Sequence, residues 1–216
     1  MKRKTLVQLV AAALTATLAG TTVAAPVIVS SYDMSNGNSG AYNYWDDTYS
    51  GSGSRTTDGA ALSGGKGDLT DGVVATDNWY VVEAPNGPGP YVGWTIDPTI
   101  HFHFAGVVNI QNISFSFDDS NGSGGVGAPA SVVIGGTTYL VTDPSGSAPF
   151  QFDVGTLNLN VADLDITINR ASNPWVFVSE IAFDGSRSLP EPNAFALFAL
   201  ALSGLAGTRI RARQRA

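Results

Sequence analysis

Thr99-Ile-His-Phe-His-Phe104 and, a few residues later, Ile110-Gln-Asn-Ile-Ser-Phe-Ser-Phe117 set apolar and polar side chains in alternation. In the first stretch Ile100, Phe102 and Phe104 share one side while His101 and His103 share the other; in the second, Ile113, Phe115 and Phe117 fall together. An extended chain sends successive side chains to opposite faces, so this period of two reads as two half-buried strands, with Ala105-Gly106 closing the first. Further runs rich in Val, Ile, Phe and Tyr occur at 27–31, 79–83, 131–134, 138–141, 150–154, 164–168 and 175–183. Turn-forming clusters such as Asn86-Gly-Pro-Gly-Pro90 and Asp143-Pro-Ser-Gly146 separate them. Outside the two ends no helical period of useful length appears. The expectation is an all-β chain, a single jelly-roll β-sandwich. Segment 35–71, rich in Gly and Ser with aromatic punctuation, reads as a long functional loop or an ordered excursion laid over the sandwich.

The ends differ from this body. Lys2, Arg3 and Lys4 precede an apolar stretch and small residues through Ala24-Ala25, the layout of a secretory signal peptide over residues 1–25, expected to be helical. At the other end Pro190 and Pro192 interrupt regular structure. An apolar run from 194 to 206 follows, then Arg209, Arg211, Arg213 and Arg215. That run forms a hydrophobic helix somewhat short of the ~20 residues that span a bilayer comfortably, with its arginines held on the cytoplasmic side. The physics alone leaves open a permanent anchor.

Removing both ends leaves a body at 26–188, enough for one domain with its own core. Of the 11 basic residues only Arg55, Lys66, Arg170 and Arg187 belong to it, against 17 acidic ones, for a net charge near −13. Such a surface repels phosphate backbones, so nucleic acid and anionic lipid are excluded as partners. With no cysteine, an exported domain has neither disulfides nor thiolate metal sites, and its stability must come from the core or from a hard cation.

The order Pro190-Glu191-Pro192, hydrophobic helix and arginine cluster resembles the PEP-CTERM sorting segment of Gram-negative bacteria, here residues 189–216. The resemblance implies a substrate of an exosortase-type membrane protease and of the secretion machinery. On that reading the helix is a transient transmembrane segment cleaved near the motif, and the only membrane contact. The protein would pass through an inner-membrane intermediate to the cell surface, the outer envelope or the extracellular space. The arginines alternate with Ile210, Ala212 and Gln214, where the family carries an unbroken run.

Within the body, residues 26–61 form an aromatic, Gly-rich part and 62–185 carry a second resemblance. Leu69-Thr-Asp-Gly72 with Thr76 and Trp79, Tyr91-Val-Gly-Trp94, the strand at 99–104, and a last strand Trp175-Val-Phe-Val-Ser-Glu-Ile-Ala-Phe183 stand in the order found in discoidin-like, galactose-binding-like modules. That family commonly holds a structural calcium near its Asp-Gly turn and its final strand. The resemblance therefore nominates Asp71, Thr76 and Glu180, oxygen donors of the kind Ca²⁺ prefers, beside the plain reading of a turn residue and a strand residue.

Tyr42-Asn-Tyr-Trp-Asp-Asp-Thr-Tyr49 is the candidate ligand site: Tyr44, Trp45 and Tyr49 could stack on sugar faces while Asp46 and Asp47 take hydroxyls. Equally, Tyr44 and Trp45 could plug one end of the sandwich. Trp79, Trp94 and Trp175 read as core, and His101 and His103 as a solvent-facing pair. Paired carboxylates at 46/47, 118/119 and 163/165 bring a glycoside hydrolase to mind, but adjacent aspartates diverge, and no Ser-His-Asp pattern supports acyl transfer. The expectation is a non-catalytic surface or matrix protein that binds polysaccharide, the cell's own exopolysaccharide included. A structural envelope or biofilm protein is the alternative, and a hydrolase comes third.

Overall fold

The computed structural model describes residues 25–40, 42–83 and 88–187. The expected signal peptide up to residue 24 and the sorting segment, with Pro190, Glu191, Pro192 and the four tail arginines, lie outside the described residues. Ten strands, β1 (Ala25–Pro26), β2 (Val29–Ser35), β3 (Ala61–Gly65), β4 (Val92–Trp94), β5 (Thr99–Phe117), β6 (Ser131–Ile134), β7 (Thr137–Leu140), β8 (Phe150–Val154), β9 (Leu159–Asn169) and β10 (Val176–Arg187), join in antiparallel ladders. The chain is all-β, a single β-sandwich of jelly-roll type.

The two alternating stretches that mark the sequence are one strand. β5 runs without a break through Gly106, whose φ of +147° only glycine adopts cheaply. There its pairing with β9 slips, from His103↔Asp163 to Val108↔Val161. Such an irregularity bends a strand. The first half of β5 lies between β2 and β9, the second between β10 and β8. β6 and β7 continue the first layer beyond β9, and β3 flanks β2. β4 and β1 pair with opposite ends of β10.

The layers meet through their apolar faces. Phe102, from the first half of β5, lies 4.9 Å centroid to centroid from Phe183 of β10, and Phe104 lies 5.4 Å from the same ring. Ile100, Phe102, Ile113, Phe115 and Phe117 are fully buried, each contributing about 1.5–3 kcal/mol through burial. A smaller cluster of Tyr44, Tyr91, Val126 and Phe177, with Trp79 and Trp175 partly buried against it, closes one end. Trp94 is core, as expected.

One element departs from expectation in kind. The run at 79–83 forms a single helical turn, Trp79–Val82, where alternation read as a strand. Its first N–H donates to Asp118 Oδ2 at 2.6 Å, and the Glu83 N–H closes the turn on the Trp79 carbonyl at 2.8 Å. A tertiary cap outweighs the β-preference of two valines and two aromatics.

Candidate functional site

The excursion between β2 and β3 is ordered by buried polar contacts. Asn36 accepts the N–H groups of Gly37 and Asp46, both at 2.9 Å, and donates to the Ser54 carbonyl at 3.2 Å. Asp46 accepts the Tyr32 hydroxyl and the Asp68 N–H. Asp68 in turn accepts the Asp47 N–H and the Thr48 hydroxyl. Tyr49 donates its hydroxyl to the Tyr32 carbonyl while accepting the Gly65 N–H. Burial pushes the Asp46 carboxyl up to about 6, with Asp47 and Asp71 adding, and that of Asp68 up to about 7, with the charge of Asp46 adding.

This geometry corrects part of the expected ligand site. Tyr44, Asp46 and Tyr49 are buried, so they offer no ring face or oxygen to a sugar; they are the braces beneath the loop. The segment runs through a bend at Trp45 and a turn at 47–48, and Trp45 and Asp47 stay partly exposed where Tyr44 and Asp46 are buried. Trp45 Nε1 donates to Asp58 Oδ1 at 2.8 Å, and the same oxygen accepts the Ser39 N–H at 2.8 Å. Arg55 Nη1 donates to the Asp47 carbonyl at 3.0 Å, and its charge offsets part of the upward push that burial gives the Asp47 carboxyl. An indole with its edge tied down and its face partly open thus stands beside one guanidinium and two carboxylates. Sequence reasoning missed Arg55 and Asp58. The available signal was that Arg55 is one of four bases in a strongly acidic body.

The nominated calcium residues separate. Glu180 shares the outer face of β10 with Ala182 and Asp184, and the turn at 70–72 covers it; its Oε2 accepts the Gly72 N–H at 3.0 Å. Glu180 and Asp71 line a cleft of about 320 Å³ together with Thr70, Lys66, Ile28 and Ala182. Burial, with Asp71 adding, raises the Glu180 carboxyl to about 7. Thr70 Oγ1 is buried there without a partner. Thr76 is exposed, absent from this lining, and bonded to Asp77 at 3.2 Å, so the third side-chain donor beside Asp71 and Glu180 is Thr70 instead. Among the described residues no group of three or more His, Cys, Asp or Glu gathers as a metal set. A cation in this cleft would find two carboxylates and a hydroxyl, oxygen donors of the kind Ca²⁺ takes, beside the Lys66 ammonium that competes with it.

At the end closed by the smaller core cluster, Trp79 packs against Tyr42 and Tyr44 at 5.4 and 5.9 Å, and Tyr44 against Trp175 at 5.4 Å. Glu83 Oε1 accepts the Tyr91 N–H at 2.9 Å, and burial raises this carboxyl to about 8. Asp118 caps the helical turn and accepts the Ser120 hydroxyl, while Asp119 accepts the Asn121 N–H.

The histidines face solvent as expected. His101 Nδ1 lies 2.7 Å from Asp165, and His103 sits between Asp163 at 2.7 Å and Asp33 at 3.5 Å. Among the described residues neither imidazole is bonded to a serine or threonine hydroxyl. The paired carboxylates diverge: Asp46 points inward and Asp47 outward, Asp118 and Asp119 hold separate backbone groups, and Asp163 and Asp165 pair with the histidines. No described helix is long and apolar enough to cross a membrane.

No protein-family model matches the chain, and no curated protein matches it by sequence. Solved structures similar to it are lectins and carbohydrate-binding modules, some of them parts of enzymes. A fucolectin from striped bass (Morone saxatilis) serum is 16% identical with a TM-score of 0.38, covering 54% of this chain and 40% of its own. The CBM32 of AlyQ, in complex with 4,5-unsaturated mannuronic acid, is 11% identical with a TM-score of 0.42, covering 74% and 97%. A family 32 module of C. perfringens NanJ, in complex with galactose, is 10% identical with a TM-score of 0.30, covering 44% and 74%. The chain spans 40% of the fucolectin and 34% of a truncated AlyQ that includes its alginate lyase domain.

Proposed function

We propose that the chain is an exported, exosortase-sorted surface or matrix protein whose sandwich binds polysaccharide without catalysis, through the platform of Trp45, Asp47, Arg55 and Asp58. One observation carries the reading: an outward indole and three charged side chains stand on a loop held from beneath by the buried Tyr44, Asp46 and Tyr49. Stacking on a sugar face needs a ring that does not move, and hydrogen bonding to its hydroxyls needs polar groups at the ring's edge. Ala25, at the start of the described chain, pairs with Gly185 near its end, a proximity that suits a precursor held at one membrane through both expected signals.

The cleft of Asp71, Glu180 and Thr70 is proposed to hold Ca²⁺, which would tie the turn at 70–72 to β10. Calorimetric melting with and without EDTA tests it, since an ion bound only to the folded state raises the melting temperature. For the platform, affinity electrophoresis against native exopolysaccharide and a glycan array should show retardation or binding that falls about tenfold or more in Arg55→Ala and Trp45→Ala. Absence of binding to every polysaccharide, the native one included, refutes the reading.

A second reading has one observation in its favour. Val73, Val74, Tyr80 and Val81 are all about half exposed or more along the segment that includes the helical turn, an apolar surface of the kind a structural envelope protein presents to other proteins. Concentration-dependent self-association that disappears in Val73→Ser/Val74→Ser, without any affinity for sugar, would favour that reading over glycan binding.

A further inference from the structure

We propose that the outer face of the first layer holds a divalent transition ion of the borderline class, Zn²⁺ or Cu²⁺, between the Nε2 atoms of His101 and His103 on β5 and the Asp33 carboxylate on β2. The site is separate from the Trp45 platform and from the Glu180 cleft, and it does not rest on the glycan-binding reading.

The chain has two histidines and no cysteine, so His101 and His103 are its whole stock of imidazole and thiolate donors. Both stand on one face of β5, two residues apart, where a strand sets same-face side chains about 7 Å apart along its axis. An imidazole reaches far enough from its backbone for two at that spacing to meet at one ion. Each ring is held by the same atom to the same neighbouring strand. His101 Nδ1 lies 2.7 Å from Asp165 and His103 Nδ1 lies 2.7 Å from Asp163, each directly across the ladder on β9. A carboxylate at Nδ1 takes the N–H there and leaves the Nε2 lone pair for a metal, the arrangement by which proteins generally orient metal-binding histidines.

The third donor comes from the strand on the other side. Asp33 of β2 stands opposite His101 in the ladder, and its Oδ2 reaches diagonally to 3.5 Å from His103 Nε2. Two ligands bound at about 2.0–2.2 Å to one tetrahedral ion stand roughly 3.4 Å apart, so an ion fits between this nitrogen and this oxygen with little movement. Asp33 is itself placed, because its Oδ1 accepts the Gly64 N–H at 2.7 Å while Oδ2 faces the imidazole. Among the described residues no three His, Cys, Asp or Glu side chains stand already gathered as a metal set, so His101 joins by turning about its side-chain bonds. Its side chain is 49% exposed and that of Asp165 is 67% exposed, which gives the two room to turn together.

Charge favours the same occupant. Three aspartates around two imidazoles leave a local charge of 2 − 3 = −1 even with both rings protonated, which a divalent ion neutralises. The next rung of this face, Thr99 with Thr167 at 2.8 Å, carries no charge, so the negative field is centred on the histidines. As surface ion pairs alone these contacts would contribute little to stability, being screened by water. Nitrogen donors select a borderline ion over Ca²⁺, which takes an oxygen shell, and among such ions Cu²⁺ binds tighter than Zn²⁺. The remaining coordination positions open to solvent and take water.

Titration of the untagged full chain with Cu²⁺ and with Zn²⁺ against a chromophoric chelator tests the proposal, and electron paramagnetic resonance of the Cu²⁺ form reads the bound nitrogens. The unmodified chain should bind Cu²⁺ tighter than Zn²⁺ and show two imidazole nitrogens on the copper. His101→Gln and His103→Gln should each lower both affinities by at least about tenfold and leave one imidazole nitrogen, and Asp163→Asn/Asp165→Asn should cost about tenfold by loosening the rings. Asp77→Asn/Asp153→Asn, which removes the same charge from exposed positions elsewhere, should change nothing, and neither should Asp71→Asn/Glu180→Gln in the cleft. Excess Ca²⁺ should displace neither ion. No binding of either ion by the unmodified chain, a copper spectrum without two imidazole nitrogens, an equal loss in the Asp77/Asp153 variant, or displacement by Ca²⁺ would each overturn the proposal.

Discussion

Asp46 shows how a single carboxylate decides whether a polar loop is a structure or a tether. It collects the Tyr32 hydroxyl and the Asp68 N–H in the interior, and a Cβ on Gly67 would fall 1.9 Å from its Oδ1, so the backbone there is shaped to the carboxyl. Removing it leaves two buried donors unpaired at about 1–3 kcal/mol each. Asp46→Ala should therefore lower the unfolding free energy by about 2–5 kcal/mol in urea titration. Asp46→Asn, which can still accept the Asp68 N–H, should cost less. A loss below about 0.5 kcal/mol for the alanine variant, the range of an ordinary surface change, would mean that the brace is not one. The aromatic and acidic makeup of this segment was legible in the sequence, and so was the possibility that Tyr44 serves as a plug. Which residues of the run face inward was not, because that depends on partners such as Tyr32, Gly65 and Asp68, which lie outside the run.

At the scale of the element, two glycines do different work for strand β5. A Cβ on Gly106 would meet nothing within 4 Å, so Gly106→Ala is opposed only by its φ of +147°. Strain of that kind is worth about 1–3 kcal/mol. Gly185, at the slip between β10 and β5, would place a Cβ 1.9 Å from the Asn109 carbonyl oxygen, and backbone cannot move aside there without breaking the ladder. Gly185→Ala should destabilise by about 3 kcal/mol or more, and the order of the two variants in denaturant midpoint is the check. Equal midpoints would remove the distinction between strain and collision. The strands at 131–134 and 150–154 were read from the sequence with their observed bounds because each carries enough Val, Ile or Phe to mark itself. β3, Ala-Leu-Ser-Gly-Gly, and β4, Val-Gly-Trp, carry too little, and only their partners make them strands. Ala105-Gly106 read as an end because glycine punctuates most strands; here two flanking strands on each side carry the ladder past it.

For the molecule as a whole, the distribution of acid matters more than its total. Burial raises the carboxyls of Asp46 and Asp118 to about 6, of Asp68 and Glu180 to about 7, and of Glu83 to about 8, from ordinary values of 3.8 for Asp and 4.5 for Glu. A group that holds its proton more tightly when folded favours the fold while protonated, so stability contributed by these five is present below about pH 4 and is lost as pH rises through about 6 to 8. His103, raised chiefly by Asp163, adds to the same trend, since its ion pairs weaken as it deprotonates. Asp33, lowered by the Gly64 N–H, the Ser63 side chain and His103 against the opposing effect of burial, works the other way and weakens the fold only on further acidification. The melting temperature should accordingly be highest near pH 4–5 and fall toward pH 8 by at least about 5 °C, given that 1 kcal/mol moves a domain of this size by ~2–4 °C. Calcium in the cleft would compete with the proton on Glu180, so its stabilising effect should be largest at pH 8 and vanish near pH 5. In Glu180→Gln both the calcium effect and part of the pH slope should disappear together. A melting temperature that rises from pH 5 to pH 8 in EDTA would show that these carboxyls are not held protonated by burial. A calcium effect that persists in Glu180→Gln would place the ion elsewhere on this acidic domain.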